Sequence, residues 1–249
     1  MKIIDINAGL GIALKSRRYT DESGLIRYLD GYRIESAVTW NGAADRHPEA
    51  GNAEMLAISA RSGGRLLPCM LLEPALDSLG LPGEGDVIAR LRQSAPAAVR
   101  VVNGAGPKLW LDKFYAQDIL RPLNETRMPL IISGDYGPDL LHALPEMAEA
   151  FPDVPLILLR HGLNQFRTIQ PLLKYTKSVY FDMSTMLDAG GIEEIVRKFG
   201  SERLLFGSGL PQFVPSGALG LLMYTDISEA DRENIAHANF ERLEGGIRL

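Results

Sequence analysis

The sequence predicts a single-domain (β/α)₈ barrel over residues 1–249, and three observations support this prediction. Eight short apolar runs begin about 23 to 32 residues apart, which is the length of one strand, one helix and two loops. The segments between the runs carry apolar residues at helical spacing. The chain also has the length, about 250 residues, at which such barrels fold as one domain. An open doubly wound sheet has the same alternation, but the count of eight strands favours the closed barrel.

The eight apolar runs are the predicted strands. They cover 2–7, 34–40, 66–72, 98–102, 129–133, 155–160, 178–182 and 203–207. Among the intervening helices, residues 192–199 form an apolar stripe that Gly200 is expected to cap. A similar stripe covers 166–173, where Pro171 is expected to kink or shorten the helix. The last helix is predicted to begin at Ser228, whose side chain can cap the first turn.

Composition and charge limit the possible classes of protein. The chain is 46% hydrophobic and 23% charged, which is typical of a soluble globular protein. Its net charge of −5 argues against a nucleic acid or an acidic membrane as partner. The single cysteine, Cys69, excludes an intrachain disulfide, and its apolar surroundings predict a buried, inert thiol. The chain start lacks the shape of a signal peptide, and no apolar run has the length of a membrane helix, so a cytoplasmic location is expected.

Five segments resemble the signatures of one family. Residues 204–211 read L-L-F-G-S-G-L-P, where the family has L-L-F-G-S-D-x-P. Residues 3–9 stand where the family has I-I-D-x-H-x-H, and 155–162 resemble its strand that ends in H-G. Residues 179–184 resemble V-Y-x-D-x-S, and 234–243 resemble I-x-x-x-N-A-x-R-L. In this order and spacing, the segments resemble the amidohydrolase-related, metal-dependent hydrolases of the amidohydrolase 2 type, which are TIM barrels.

The resemblance implies a metal-assisted hydrolase or decarboxylase of small molecules. The family's metal ligands are two histidines on the first strand, one after the fifth, one on the sixth and an aspartate on the eighth. The corresponding residues here are Asn7, Gly9, Ser133, His161 and Gly209. Of these five positions, only that of His161 keeps the family's metal-binding residue, whereas a catalytic Zn²⁺ needs about three protein ligands. We therefore predict no metal cofactor, with Zn²⁺ as the alternative.

Polar residues at the carboxyl ends of the strands define a candidate site, because this is where barrel enzymes bind their substrates. The two-residue period of a strand predicts that Arg100 and Asp182 point inward together with His161. These three are the candidate catalytic residues. The candidate ligand-binding residues at the same end are Asn7, Asn41, Glu73, Ser133 and Ser184.

Each candidate has a structural alternative. A buried guanidinium must be paired, so Arg100 is expected to meet Glu73, Asp182 or an anionic ligand. The alternative is a structural ion pair that plugs the barrel. His161 is either a hydrogen-bond donor or general base that acts without metal, or a residue held by a backbone hydrogen bond.

Several other residues are expected to have structural roles. Asp5 is expected to brace the barrel or a neighbouring loop, and Asn239 and Arg242 are expected to hold the final helix in place. Trp40 is a candidate for the pocket wall. His47, in the polar segment 45–49 after the second strand, is expected to be a solvated loop residue.

Three hypotheses on function follow. The protein is a divergent amidohydrolase-like hydrolase or decarboxylase of a small anionic molecule, a non-catalytic relative that binds a small ligand or a partner, or an unrelated barrel enzyme. The expected partner is a small molecule, with neither nucleic acid nor membrane, and a homodimer is possible. Because function depends on the site rather than on the fold, the geometry of the strand ends must decide.

Overall fold

The computed structural model describes residues 1–12, 19–72, 86–103, 111–134, 138–159, 166–187 and 189–249. Its strands are β1 (Ile4–Ile12), β2 (Tyr19–Thr20), β3 (Ser36–Asn41), β4 (Leu66–Leu71), β5 (Ala98–Asn103), β6 (Leu130–Gly134), β7 (Leu156–Leu158), β8 (Val179–Asp182) and β9 (Leu204–Leu205). Its helices are α1 (Glu22–Gly31), α2 (Pro48–Arg61), α3 (Val87–Ser94), α4 (Gln117–Thr126), α5 (Pro138–Ala150), α6 (Phe166–Tyr175), α7 (Gly191–Phe199), α8 (Pro215–Tyr224), α9 (Glu229–Glu233) and α10 (Asn239–Glu244). A 3₁₀ turn, Gly42–Asp45, precedes α2, and a π-helical turn, Asn234–Ala238, joins α9 to α10.

The strands form a barrel in chain order. Eight strands are parallel: β1 pairs with β3, and each later strand pairs with the one that follows it, as far as β9. The end of the sheet returns to its start, since the Ile6 amide donates to the Phe206 carbonyl at 2.9 Å and the Gly9 amide donates to the Leu210 carbonyl at 2.9 Å. The predicted (β/α)₈ barrel is therefore confirmed, with all eight strands at their predicted places. The short β2, which pairs antiparallel with the end of β1, was not predicted.

Two apolar layers fill the structure, one inside the barrel and one between strands and helices. The buried residues of the inner layer are Ile4, Ile6, Val38, Cys69, Ala97, Ala98, Ile131, Ile157, Leu159, Leu205, Phe240 and Leu243. Val99, Val101, Val179 and Phe181 belong to the outer layer. Because side chains of a strand alternate between the two faces, Arg100 and Asp182 lie on the inner face, as predicted.

The helix α10 closes the amino-terminal end of the barrel. Its Phe240 and Leu243 belong to the inner layer. The side-chain amide of Asn239 donates to the carbonyls of Ser201 at 2.7 Å and Leu204 at 2.8 Å. Arg242 donates to the Asn239 amide oxygen at 2.6 Å within α10 and to the Glu202 carbonyl at 3.4 Å. The bonds to Ser201, Leu204 and Glu202 confirm that Asn239 and Arg242 hold the final helix against the barrel.

Asp5 fastens the seam between β1 and the segment after β9. Its carboxylate accepts hydrogen bonds from the Ser208 amide at 2.8 Å, from the Ser208 hydroxyl and from the Asn7 amide at 2.9 Å. Complete burial raises the pKa of Asp5 to about 6, although the hydrogen bonds from Ser208 and Asn7 oppose this rise. The expected structural role of Asp5 is confirmed.

The predicted helix signals are also found. In α7 the stripe residues Ile192 and Ile195 are buried, and Gly200 caps the helix with φ of 78°. Pro171 lies inside α6, which continues to Tyr175 and so is not cut short. Ser228 caps α9 by accepting from the Asp231 amide at 3.1 Å. None of the helices in the described ranges is long and apolar enough to cross a membrane.

Candidate active site at the barrel mouth

Arg100 lies in the middle of β5, on the inner face of the barrel, and its side chain reaches the turn that follows β3. Its guanidinium forms an ion pair with Asp45, the last residue of the 3₁₀ turn after β3, and the two side chains are only 5% and 7% exposed. The guanidinium carbon also lies 4.8 Å from the centre of the Trp40 ring, within the range of a cation–π interaction. The predicted partners of Arg100 were Glu73 and Asp182. The partner that the structure identifies is Asp45, and His47 in the same loop is exposed, as expected of a solvated loop residue.

Two polar side-chain atoms near the mouth are buried and have no hydrogen-bond partner among the residues that the structure describes. They are Nε of Arg100 and Oγ of Ser184. A buried donor left unsatisfied costs about 1–3 kcal/mol, so such atoms are uncommon and are often ligand contacts. The site therefore offers unused hydrogen-bonding capacity on both β5 and the segment after β8.

Asp182 ends β8 and is fully buried. One carboxylate oxygen accepts from the side-chain amide of Asn7 at 3.0 Å, and the other accepts from the backbone amide of Ser184. The predicted site residues Asn7, Asp182 and Ser184 are thus brought together. The charge of Asp182 also contributes to the raised pKa of Asp5, which shows that the two carboxyl groups are electrostatically coupled.

The remaining described candidates, Ser133 and Asn41, differ in orientation. Ser133 follows the inward Ile131 by two residues and donates its hydroxyl to the Val101 carbonyl at 3.2 Å. Asn41 instead faces away from the barrel axis, because the preceding Trp40 packs against the inner layer. Its side chain donates to Glu54 at 2.9 Å and accepts from the Ala43 amide at 2.9 Å. It lines a separate cavity of about 550 Å³, so its placement in the inner polar ring is corrected.

Two candidates, His161 and Glu73, lie outside the described residues. Their roles as a catalytic residue and a ligand-binding residue stay predictions. Cys69, in contrast, is 2% exposed, and burial raises the pKa of its thiol to about 12. The prediction of a buried thiol is confirmed, and the expected inertness of this thiol stays a prediction.

The first-strand ligand positions do not fit the metal that the barrel's sequence signatures imply. A Cβ atom at Gly9 would lie 2.2 Å from Cζ2 of Trp40, so the indole fills the space that a side chain at this position needs. The side-chain amide nitrogen of Asn7 is engaged by Asp182.

The ligand positions after β6 and β9 do not fit a metal either. The hydroxyl of Ser133 donates to a backbone carbonyl. Gly209 has φ of 73°, a conformation that strains any other residue, and a Cβ there would lie 2.8 Å from the Phe213 ring. Within the described part of the chain, no three His, Cys, Asp or Glu residues cluster as metal ligands. The described residues at the family's ligand positions therefore do not provide the donor set of a catalytic metal centre.

The fold and the mouth define a TIM-barrel protein with buried polar and charged side chains near the carboxyl ends of its strands. The sequence profile of the amidohydrolase family matches residues 30–243. The chain therefore belongs to the amidohydrolase family, and the hypothesis of an unrelated barrel enzyme is wrong. A search of curated proteins finds no significant match to the sequence.

Solved structures of the same fold include enzymes that act on small carboxylates. The 2,6-dihydroxybenzoate decarboxylase from Rhizobium has a TM-score of 0.77 at 13% identity, with 98% of each chain covered. An uncharacterised TIM-barrel protein from Bordetella bronchiseptica has a TM-score of 0.77 at 17% identity, with 99% of each chain covered. A 4-oxalomesaconate hydratase from Rhodopseudomonas palustris has a TM-score of 0.70 at 11% identity, with 98% of this chain and 96% of the other covered. At these identities the likeness shows the fold alone.

Proposed function

We propose that this protein binds a small carboxylate-bearing molecule at the barrel mouth and acts on it as a hydrolase or decarboxylase without the family's metal centre. The observation that carries this proposal is Arg100, a buried cation whose Nε has no hydrogen-bond partner within the described ranges. A carboxylate of the ligand would accept from this nitrogen in a charge-assisted hydrogen bond.

The contacts of Arg100 hold its guanidinium group in a fixed position. Asp45 holds one terminal nitrogen, and the Trp40 ring supports the guanidinium plane. A preorganised donor loses little entropy when a ligand arrives, and its interaction is strengthened by the low dielectric of a buried site. Arg100 would therefore take over the charge-attracting part of a metal's role.

Asp182 is the candidate for proton transfer. Its carboxylate is held by Asn7 and by the backbone of Ser184, so its oxygens have defined positions. A decarboxylation needs a proton at the carbon that loses carbon dioxide, and a hydrolysis needs a base that activates water. Asp182 and the predicted His161 are assigned to these two tasks as a hypothesis.

The names of the structural neighbours support the ligand class by analogy. A decarboxylase of 2,6-dihydroxybenzoate and a hydratase of 4-oxalomesaconate both act on carboxylates. The analogy does not extend to mechanism, because the residues at the metal-ligand positions differ here.

A non-catalytic relative that binds a small ligand is the second candidate. The packing of Trp40 into the space beside Gly9 favours it, because this packing removes room from the centre of the family's reaction site. The ion pair between Arg100 and Asp45 further resembles a structural plug of the barrel.

The test is a binding screen of aromatic and aliphatic carboxylates, each paired with its uncharged amide, followed by calorimetry. We expect at least one acid to bind, its amide to bind about tenfold or more weakly, and Arg100→Met to abolish the preference. Because Arg100→Met leaves Asp45 buried without a partner, the double variant Arg100→Met/Asp45→Asn provides a neutral alternative. Arg92→Met, which changes an exposed arginine of α3, is the matched control.

Measurements of turnover then distinguish the catalytic function from the non-catalytic one. Each bound acid is incubated with chelator-treated protein, and loss of substrate and release of carbon dioxide are measured. Turnover with chelator supports the proposal, whereas binding without turnover supports the non-catalytic candidate. Turnover that needs added Zn²⁺ or Mn²⁺ contradicts the metal-free proposal. No preference for acids, or an unchanged preference in the double variant, refutes the role of Arg100.

A further inference from the structure

A second cavity lies at the opposite end of the barrel, beside the amino-terminal ends of β8 and β9. Its volume is about 420 Å³. The polar side chains that line it and bear on its chemistry are Lys174, Lys177, Tyr180, Glu202, Arg203 and Arg242. Barrel enzymes place their reaction sites at the other end, so this cavity is separate from the mouth.

The charge of the cavity is strongly positive. Four cationic side chains face a single carboxylate, although the whole chain carries a net charge of −5. Across the ranges that the structure describes, none of the four makes an ion pair with a carboxylate. Like charges repel when they are brought together, so an anion that neutralises them would be bound favourably.

Two of the cations are held in place by the fold. Arg203 donates to the carbonyls of Leu173 at 2.5 Å and Thr176 at 2.6 Å. Arg242 donates to the side chain of Asn239 at 2.6 Å. Partial burial of Arg203 lowers its pKa by desolvation, which reflects the cost of keeping this charge away from water. Hydrogen bonds within the protein therefore hold both guanidinium groups, of which that of Arg203 is partly buried and that of Arg242 is exposed.

Tyr180 connects the cavity to the barrel. Its ring packs against the inner apolar layer, and the residue also lines the cavity. Burial raises the pKa of Tyr180, while the charges of Arg242 and Arg203 oppose this rise, so both cations lie close to the phenol. The phenol stays protonated and can donate a hydrogen bond to a bound anion.

We propose that this cavity is a binding site for the phosphate or pyrophosphate group of a small molecule. A multiply charged oxyanion matches four cations better than a single carboxylate does, and its several oxygens can accept from donors on α6, β9 and α10 at once. The small volume and the acidic chain favour a small anion over a nucleic acid backbone.

The test is calorimetric titration of the full chain with pyrophosphate and inorganic phosphate at constant ionic strength, because salt screens exposed charges. We expect saturable binding, tighter for pyrophosphate, that Lys177→Gln and Arg242→Gln each weaken about tenfold. Lys177→Gln is the cleaner variant, since no hydrogen bond within the described chain involves Lys177, whereas Arg242→Gln also disturbs α10. Arg197→Gln, which removes an exposed arginine of α7, is the matched control and should leave binding unchanged.

Three outcomes would overturn the proposal. They are the absence of saturable binding, equal weakening by the control variant, and full retention of binding by both cavity variants. Carboxylate binding at the mouth should be unaffected by Lys177→Gln, so failure at one site can be distinguished from failure at the other.

Discussion

Replacing Gly9 by alanine should force a carbon atom into the space of the Trp40 indole. The new Cβ would lie 2.2 Å from Cζ2 and 2.5 Å from both Cε2 and Cη2. These atoms belong to a rigid ring, so the whole side chain or the strand must move. Overpacking of this kind costs about 1–3 kcal/mol. For a chain of this length each kcal/mol corresponds to a fall in Tm of about 2–4 °C.

A double-mutant cycle isolates this contact. In a Trp40→Leu background the ring is gone, so Gly9→Ala should become neutral or slightly stabilising. The coupling free energy between the two positions should then be about 2 kcal/mol. The free energy of unfolding of all four proteins is measured by urea denaturation followed by circular dichroism.

Gly220→Ala serves as the control, since a Cβ there meets nothing within 4 Å. It lies inside α8 and should stabilise by about 0.5–1 kcal/mol in both backgrounds. If Gly9→Ala costs the same with and without Trp40, the ring does not occupy the space beside Gly9. The argument that this position cannot hold a metal ligand would then fail.

Three further predictions concern buried ionisable groups. The pKa of Asp5 is raised from 3.8 to about 6, so the folded state binds the carboxyl proton of Asp5 more tightly than the unfolded state does. The resulting stabilisation of the folded state is complete below about pH 3.8 and is lost as the pH rises through about 6. The pKa shift corresponds to about 3 kcal/mol of stabilisation. The difference in unfolding free energy between wild type and Asp5→Asn should therefore change by about this amount across the pH range. A difference that does not depend on pH would contradict the prediction. Asp45→Ala should lower the free energy of unfolding, measured by chemical denaturation, by about 3–5 kcal/mol because Arg100 is left unpaired. The double variant Asp45→Ala/Arg100→Met should recover part of this loss, and equal losses in the two proteins would refute the pairing. Cys69 should react with dithionitrobenzoate only in denaturant, because its buried thiol has a pKa of about 12; a fast reaction of the native protein would disagree.

The sequence predicted the barrel and the inward residues because both depend on periodicity. Eight apolar runs at even spacing specify the strands, and the two-residue period correctly assigned Arg100 and Asp182 to the inner face. The same rule applied to Val38 and Trp40 would also have turned Asn41 outward. That error came from treating Asn41 as a residue beyond the strand, whereas β3 includes it.

The partner of Arg100 could not be predicted in the same way. Asp45 is 55 residues distant in sequence and sits in a 3₁₀ turn whose direction no periodic pattern specifies. The Trp40 packing beside Gly9 was also missed, because it depends on the relative height of two neighbouring strands. The pairing of β1 with β3 includes a register shift between Asp5 and Ala8, which changes that height.

The indole beside Gly9 also couples substitutions at two positions of this protein. Any side chain at position 9 begins with a Cβ that clashes with the ring, so its introduction carries an overpacking cost of about 1–3 kcal/mol. A smaller residue at position 40 would remove this clash, but it would also remove the aromatic support of Arg100. Engineering a metal ligand at position 9 would therefore weaken either the packing of the barrel or the support of Arg100.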